Sequence, residues 1–334
     1  MERVCVLGAG SWGTALAKLL ADGGKRTALW ARRPEQAEVI QAQRENRAYL
    51  PGFRLPDPLE ATSDLERALS GAEMVVSVVP THGLRDVLVR AAGLTPPGVP
   101  IVSATKGIEN DTLKLVSEVF EEHWPGELHG NLTYLCGPSF AREVAAGIPT
   151  AVSVAGRDQA VAEQVQHAFA TQLFRVYVTE DVVGVELGGA LKNVVAIAAG
   201  IADGLGFGHN TRAALITRGL AEITRLSVHM GGNPLTMAGL SGMGDLVLTC
   251  TGDLSRNRSV GVQLGKGKTL SDILGGMTMV AEGVRTAKSA YQLAEREGVD
   301  MPITTAIYQV LYEDKDPTQA VVELMTRRLK HERQ

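Results

Sequence analysis

The chain has 334 residues, of which 45% are hydrophobic and 21% charged, and a formal net charge of −4. This is the composition of an ordinary globular protein, and the length makes two domains the natural division. The slight acidity gives no electrostatic reason to expect nucleic acid or an anionic membrane as partner, and three scattered cysteines (Cys5, Cys136, Cys250) supply neither a disulfide framework nor a zinc site.

The first element is the most informative. Residues 4–17 read VCVLGAGSWGTALA, an apolar strand running into Gly8, Gly10 and Gly13 and then into helix formers. In a strand–turn–helix of this kind the first glycine makes the turn and the second lets a pyrophosphate approach. The third lets helix and strand pack closely, while the helix N-terminus offers free N–H groups. The spacing predicts a dinucleotide site; a glycine turn in another α/β protein is the alternative. No signal peptide is expected ahead of the strand, and a reducing cytosol suits the free cysteines.

Further strands are expected at 27–31, 74–79, 101–103, 133–136, 151–154 and 174–179, alternating with helical stretches. Several are continuous β-branched runs, as in a parallel sheet covered on both faces. The second strand ends in Ala31-Arg32-Arg33, where NAD sites carry a carboxylate. Two guanidinium groups suit a 2′-phosphate, which favours NADP(H) and leaves NAD(H) possible; a solvated arginine pair is the bland alternative. Beyond residue 180 the texture turns helical, with candidates at 185–202, 211–230, 260–264, 281–297 and 302–312. The apolar run 194–201 is too short to span a bilayer and reads as a core helix. The charged tail 327–334 is expected to fray. The fold class is therefore an α/β Rossmann-type domain with a largely parallel sheet over 1–180, followed by an all-α domain over 181–334.

Three polar clusters interrupt the second half. Lys192 enters an otherwise apolar helix, where it is either a tuned, buried base or a lysine that snorkels to water. Asp245 and Thr249 are four residues apart and share a helix face, although Asp245 after a glycine loop also suits an N-cap. Ser255, Arg256 and Asn257 stand at a helix start, fit for a phosphate or for simple capping. Cys136 and Cys250 lie beside these motifs and read as small buried apolar residues. Seven scattered histidines show no metal spacing, so no metal is expected.

Taken together, GAGSWG at 8–13, VPTH at 79–82, SATKGIE at 103–109, GPSFA at 137–141, LKN at 191–193, GLSGMGDL at 239–246, SRN at 255–257 and AEG at 281–283 make a pattern. The chain resembles the NAD(P)-dependent glycerol-3-phosphate dehydrogenases, most of all the bacterial biosynthetic type, over nearly its whole length. The resemblance implies reversible reduction of dihydroxyacetone phosphate to sn-glycerol 3-phosphate, a backbone for glycerophospholipids. It implies Lys192 as proton donor and acceptor, Lys106 as a second lysine touching substrate and cofactor, and Asp245 and Thr249 as partners of Lys192. Gly137, Ser139, Ser255, Arg256 and Asn257 would bind substrate, with Lys192 and Asp245. Gly8, Gly10, Ser11, Trp12, Gly13, Arg32, Arg33, Tyr49, Ala141, Arg256, Val280 and Glu282 would contact cofactor. A cytoplasmic homodimer is expected. The rivals are a dehydrogenase of a β-hydroxyacid or sugar acid and a non-catalytic NADPH sensor; the SRN segment weighs against the first, and the second has no need of Lys192 and Asp245.

Overall fold

The computed structural model describes residues 1–277, 281–329 and 331–332. One sheet contains β1 (Arg3–Leu7), β2 (Arg26–Trp30), β3 (Leu59–Thr62), β4 (Met74–Ser77), β5 (Ile101–Ser103), β6 (Leu132–Cys136), β7 (Thr150–Gly156) and β8 (Phe174–Thr179). Their spatial order is β3-β2-β1-β4-β5-β6-β7-β8, and neighbours are parallel except β6 and β7. The strand order reverses direction between β1 and β4, which opens a crevice at their carboxyl ends. Gly8 follows β1 at that crevice.

β3 was not among the expected strands. It is an edge strand, Leu-Glu-Ala-Thr, whose short alternation carries little signal. The other strands lie where expected, with ends moved by one or two residues. From Val182 onward the regular elements among the described residues are helices.

Two apolar cores line the faces of the sheet, and a third surrounds the Val182–Gly204 helix. That helix is apolar nearly all round, because other helices cover every side of it. It is longer than the run expected from the sequence and apolar enough to cross a bilayer, but its most apolar window is 94% buried inside the fold. The Arg256–Gly265 helix crosses it at glycines. A Cβ on Gly200 would stand 2.1 Å from the carbonyl oxygen of Arg258, and one on Gly261 would stand 2.1 Å from that of Ile197. Backbones this close set the spacing of everything the two helices carry. Past the last helix, which ends at Thr326, the described part of the tail makes two exposed contacts: Arg327 pairs with Asp300 at 2.9 Å, and Arg218 donates to the Glu332 carbonyl.

The same central helix is fastened to the sheet side by Glu186. Its carboxyl meets the Ser117 N–H at 2.8 Å and the Ser117 hydroxyl at 2.6 Å, at the start of the Val116–His123 helix. Burial pushes this carboxyl up to about 8, helped by Glu118 and Glu121 and opposed by the two Ser117 bonds. The folded chain therefore keeps a proton that the unfolded chain loses above its ordinary glutamate range. This contribution is complete at low pH and is lost as pH rises toward the folded value. Between about pH 5 and pH 9 the melting temperature of Glu186→Gln should fall less than that of the native chain. Parallel falls in thermal melts of the two would mean that Glu186 is already ionised in the fold.

Candidate active site

The glycine turn is built as its spacing predicts. Gly8 has φ +113, and a Cβ there would lie 2.7 Å from the Val78 carbonyl oxygen. A Cβ on Gly13 would lie 1.9 Å from the Gly8 carbonyl oxygen, so only glycine lets the Ser11–Asp22 helix sit this close to β1. Around Gly10 a Cβ would meet nothing within 4 Å: the middle glycine faces open space. Two amides hold the turn from behind. Asn46 donates to the Ala9 carbonyl at 3.0 Å and to the Thr14 hydroxyl at 2.8 Å, and Gln36 donates to the Ala9 carbonyl at 2.8 Å. No motif pointed to either residue.

This cradle fits a dinucleotide. The helix has Gly10 at its N-cap, a residue with no side chain to cap it. The buried Trp12 indole N–H has no partner among the described residues. Ser11 donates to the Tyr49 carbonyl at 2.6 Å, and Ala141 packs in one small cluster with Trp12. The two arginines part company. Arg33 leans on Gln36 and the Tyr49 hydroxyl at 3.5 and 3.4 Å. Arg32 is exposed, and its charge, with that of Arg285, adds to partial desolvation in pushing the exposed His82 below the usual histidine value. Val280 lies outside the described residues.

The chemistry gathers around Asp245. Its helix (Asp245–Thr251) begins directly after a π-helical turn, Leu240–Gly244, and Asp245 does not cap it. The carboxylate is 1% exposed. Oδ1 accepts from Lys192 Nζ at 2.5 Å, and Oδ2 accepts from Lys106 Nζ at 2.7 Å. Lys192 also donates to the Thr249 hydroxyl at 2.9 Å, and that hydroxyl donates to the Asp245 backbone carbonyl at 2.6 Å. Lys192 is 7% exposed, so it does not snorkel. Asp245 and Thr249 do share a face, one turn apart.

Three elements meet here. Lys192 comes from the central helix, Asp245 from the Asp245–Thr251 helix, and Lys106 from the loop after β5. That loop is pinned on both sides: Thr105 donates to the Val79 carbonyl, Thr81 to the Lys106 carbonyl and Ser289 to the Ile108 carbonyl, at 2.8, 3.1 and 3.1 Å. Burial works against every charge in the cluster, but one carboxylate between two ammonium groups is strongly favoured as an anion. Burial would raise Asp245, yet Lys106 and Lys192 outweigh it and hold the acid below its ordinary range. The lysines respond oppositely. Burial and the neighbouring Lys106 charge lower Lys192 despite Asp245, whereas the attraction of Asp245 raises Lys106 above its usual value despite burial. The cluster therefore keeps one lysine firmly charged and makes the other the easier to deprotonate.

A neutral relay flanks it. Asn257 donates to Asn193 Oδ1 at 2.9 Å and accepts from the Gly283 N–H at 2.9 Å. Sequence reasoning had left Asn193 without a role, although it directly follows Lys192. The Ser255 hydroxyl is buried and caps its own helix by accepting from the Arg258 N–H at 3.2 Å, the blander of the two readings. Arg256 is exposed beside it. Glu282 lies within the field of Arg256, Lys106 and Lys192; burial raises its carboxyl and those three cations oppose the rise. Gly137 has φ +143, and a Cβ there would strike the Val152 Cα at 2.8 Å. Ser139 bonds back to the Gly137 carbonyl, and Pro138 between them faces Gly244. Of the expected substrate residues, Lys106, Lys192 and Asp245 are in direct contact.

Comparison with known proteins identifies the family. Residues 3–162 fit the family of the NAD-dependent glycerol-3-phosphate dehydrogenase N-terminus, and residues 181–322 fit that of its C-terminus. The chain is 60% identical over 331 residues to glycerol-3-phosphate dehydrogenase [NAD(P)+] of Geobacter sp. (strain M21), covering 99% of each. It is 54% identical to the protein of that name from Leptospira biflexa, again over 99% of each. A crystal structure of glycerol-3-phosphate dehydrogenase from Coxiella burnetii superposes with a TM-score of 0.93 at 40% identity, covering 98% of this chain and 99% of that one.

Asp245 holds one buried and one largely buried cation, so removing its charge should cost more than one ordinary contact. Asp245→Asn is expected to destabilise the fold by about 3–5 kcal/mol in denaturant titration, the cost of breaking a buried ion pair from one side. A loss well under about 1 kcal/mol would mean that the lysines reach water in the folded chain.

Proposed function

The chain belongs to the NAD-dependent glycerol-3-phosphate dehydrogenase family, and from that premise we propose a division of labour among its residues. The activity is the reversible reduction of dihydroxyacetone phosphate to sn-glycerol 3-phosphate with NAD(P)H. Residues 1–180 hold the cofactor on the glycine turn, and residues 181–334 supply most of the substrate and proton-handling groups. The observation that carries this reading is the Lys106–Asp245–Lys192 cluster in a chain that also has the glycine turn after β1.

Bound NAD(P)H supplies the hydride, so the chain must orient the reactants and manage one proton. Oxygen charge grows on the substrate carbonyl as its carbon is reduced. The Lys192 ammonium stabilises that charge and then donates its proton to the oxygen; in the reverse direction neutral Lys192 takes the alcohol proton. Its downward shift serves both directions. Asp245 and Thr249 fix the direction of Nζ, and Lys106 remains a charged contact for substrate. Arg256 and Asn257 receive the phosphate at the N-terminus of their helix, away from the reacting carbon. Ser255 serves by setting that helix start. Gly137 and Ser139 border the substrate. Ser11, Trp12, Tyr49, Ala141 and Glu282 line the cofactor side, and Arg32 and Arg33 favour NADPH. The reading includes a cytoplasmic homodimer whose product feeds glycerophospholipid synthesis.

The direct test follows NADPH absorbance with dihydroxyacetone phosphate. Lys192→Ala should lower kcat by roughly 10²–10⁴-fold, the usual worth of a general acid, with little change in NADPH affinity. Near-native turnover would remove Lys192 from the mechanism. Arg32→Asp should raise KM for NADPH about tenfold more than KM for NADH, since one charge-assisted bond to phosphate is at stake. Equal changes for both cofactors would show that Arg32 does not read the 2′-phosphate.

A further inference from the structure

Cys136 ends β6, is 5% exposed and was expected to be inert packing. Its Sγ lies 3.6 Å from Asp245 Oδ2, the oxygen that also takes Lys106. Oδ1 is left to Lys192 and, at 3.4 Å, the Thr249 hydroxyl. The place is shaped for a thiol. Across from it the central helix carries Gly189, where a Cβ would stand 2.7 Å from Sγ and 3.8 Å from the Lys106 Cγ. Gly189 and Lys192 are three residues apart on that helix and so share a face. The charged groups that face the thiol are Lys106 from the loop after β5, Lys192 from the central helix and Asp245 from its own helix; Ser241 of the π-helical turn is the polar neighbour. Burial raises the thiol, which keeps its proton at neutral pH and has one hydrogen to give.

We propose that Cys136 is a positioning residue for the Lys192 proton step: its S–H occupies Asp245 Oδ2 beside Lys106 and so turns Oδ1 toward Lys192. This rests on Lys192 being the proton donor. A thiol is a weak donor, and that suits the task. It steadies the carboxylate without neutralising it, so Asp245 still orients Lys192. Without the thiol the carboxylate becomes more basic and attracts the Lys192 ammonium more strongly. Lys192 then holds its proton to higher pH and surrenders it less readily.

The test compares Cys136→Ala, Cys136→Ser and Lys192→Ala in the full chain, each checked by thermal melting. The readouts are kcat and both KM values for dihydroxyacetone phosphate reduction across pH. In Cys136→Ala, kcat should fall about fivefold, the alkaline limb of the kcat profile should move up by a few tenths of a pH unit, and KM for NADPH should hold. Cys136→Ser, which restores a donor, should recover most of the rate and return the limb. An alanine variant with native kcat and native limb overturns the proposal, as does a serine variant as slow as alanine. Should alanine fail to fold, Cys136→Val supplies the donor-free comparison on the same terms. An active Lys192→Ala enzyme would overturn the proton-donor reading itself. An inactive Lys192→Ala beside an unaltered Cys136→Ala profile would overturn only the role of Cys136.

Discussion

A single buried carboxylate organises the site. Asp245 has almost no contact with water and accepts an ammonium on each oxygen, one from the sheet side and one from the central helix. An isolated charge so placed would cost several kcal/mol. Two cations make the anion secure, but one anion cannot secure both cations equally. Burial, with the Lys106 charge, lowers Lys192 despite Asp245, while Asp245 raises Lys106 against its burial. The proposed proton step draws on this asymmetry, with Lys192 as the lysine that exchanges its proton and Lys106 as the one that keeps its charge.

That balance needs a rigid setting, and the packing provides it. The central helix is buried on all sides and crosses its neighbour at glycines, with carbonyls where side chains would otherwise stand. At this spacing Asn193 reaches Asn257, and Asn257 reaches the Gly283 N–H. The Lys106 loop has no regular structure of its own, so hydroxyls from both sides hold its backbone. Buried polar groups that are paired in this way rigidify a site.

Much of this could be read in the chain. Gly8, Gly10 and Gly13 announced a turn whose three glycines have three different reasons to be glycine, because close approach of backbones depends on local spacing. The helical second half and all but one of the strands were visible as periodicity. β3 was not, because an edge strand with one covered face needs few apolar residues. The contacts of the tail with Asp300 and Arg218 were not legible because these partners are distant in sequence. Ser255 offered a phosphate ligand and a cap with equal force, and only the direction of its hydroxyl separates them. Cys136 looked like packing because nothing local reveals which atom a small side chain will touch.

The sequence by itself determined the order of elements, the place of the dinucleotide turn and the identity of the polar residues that interrupt apolar helices. These follow from short-range patterns, which physics reads over a few residues at a time. The tertiary structure decided whether Lys192 is buried, which lysine shares which oxygen of Asp245, and that the thiol of Cys136 joins them. Those outcomes depend on desolvation and distance between groups up to 139 positions apart in the chain. Only folding sets those distances.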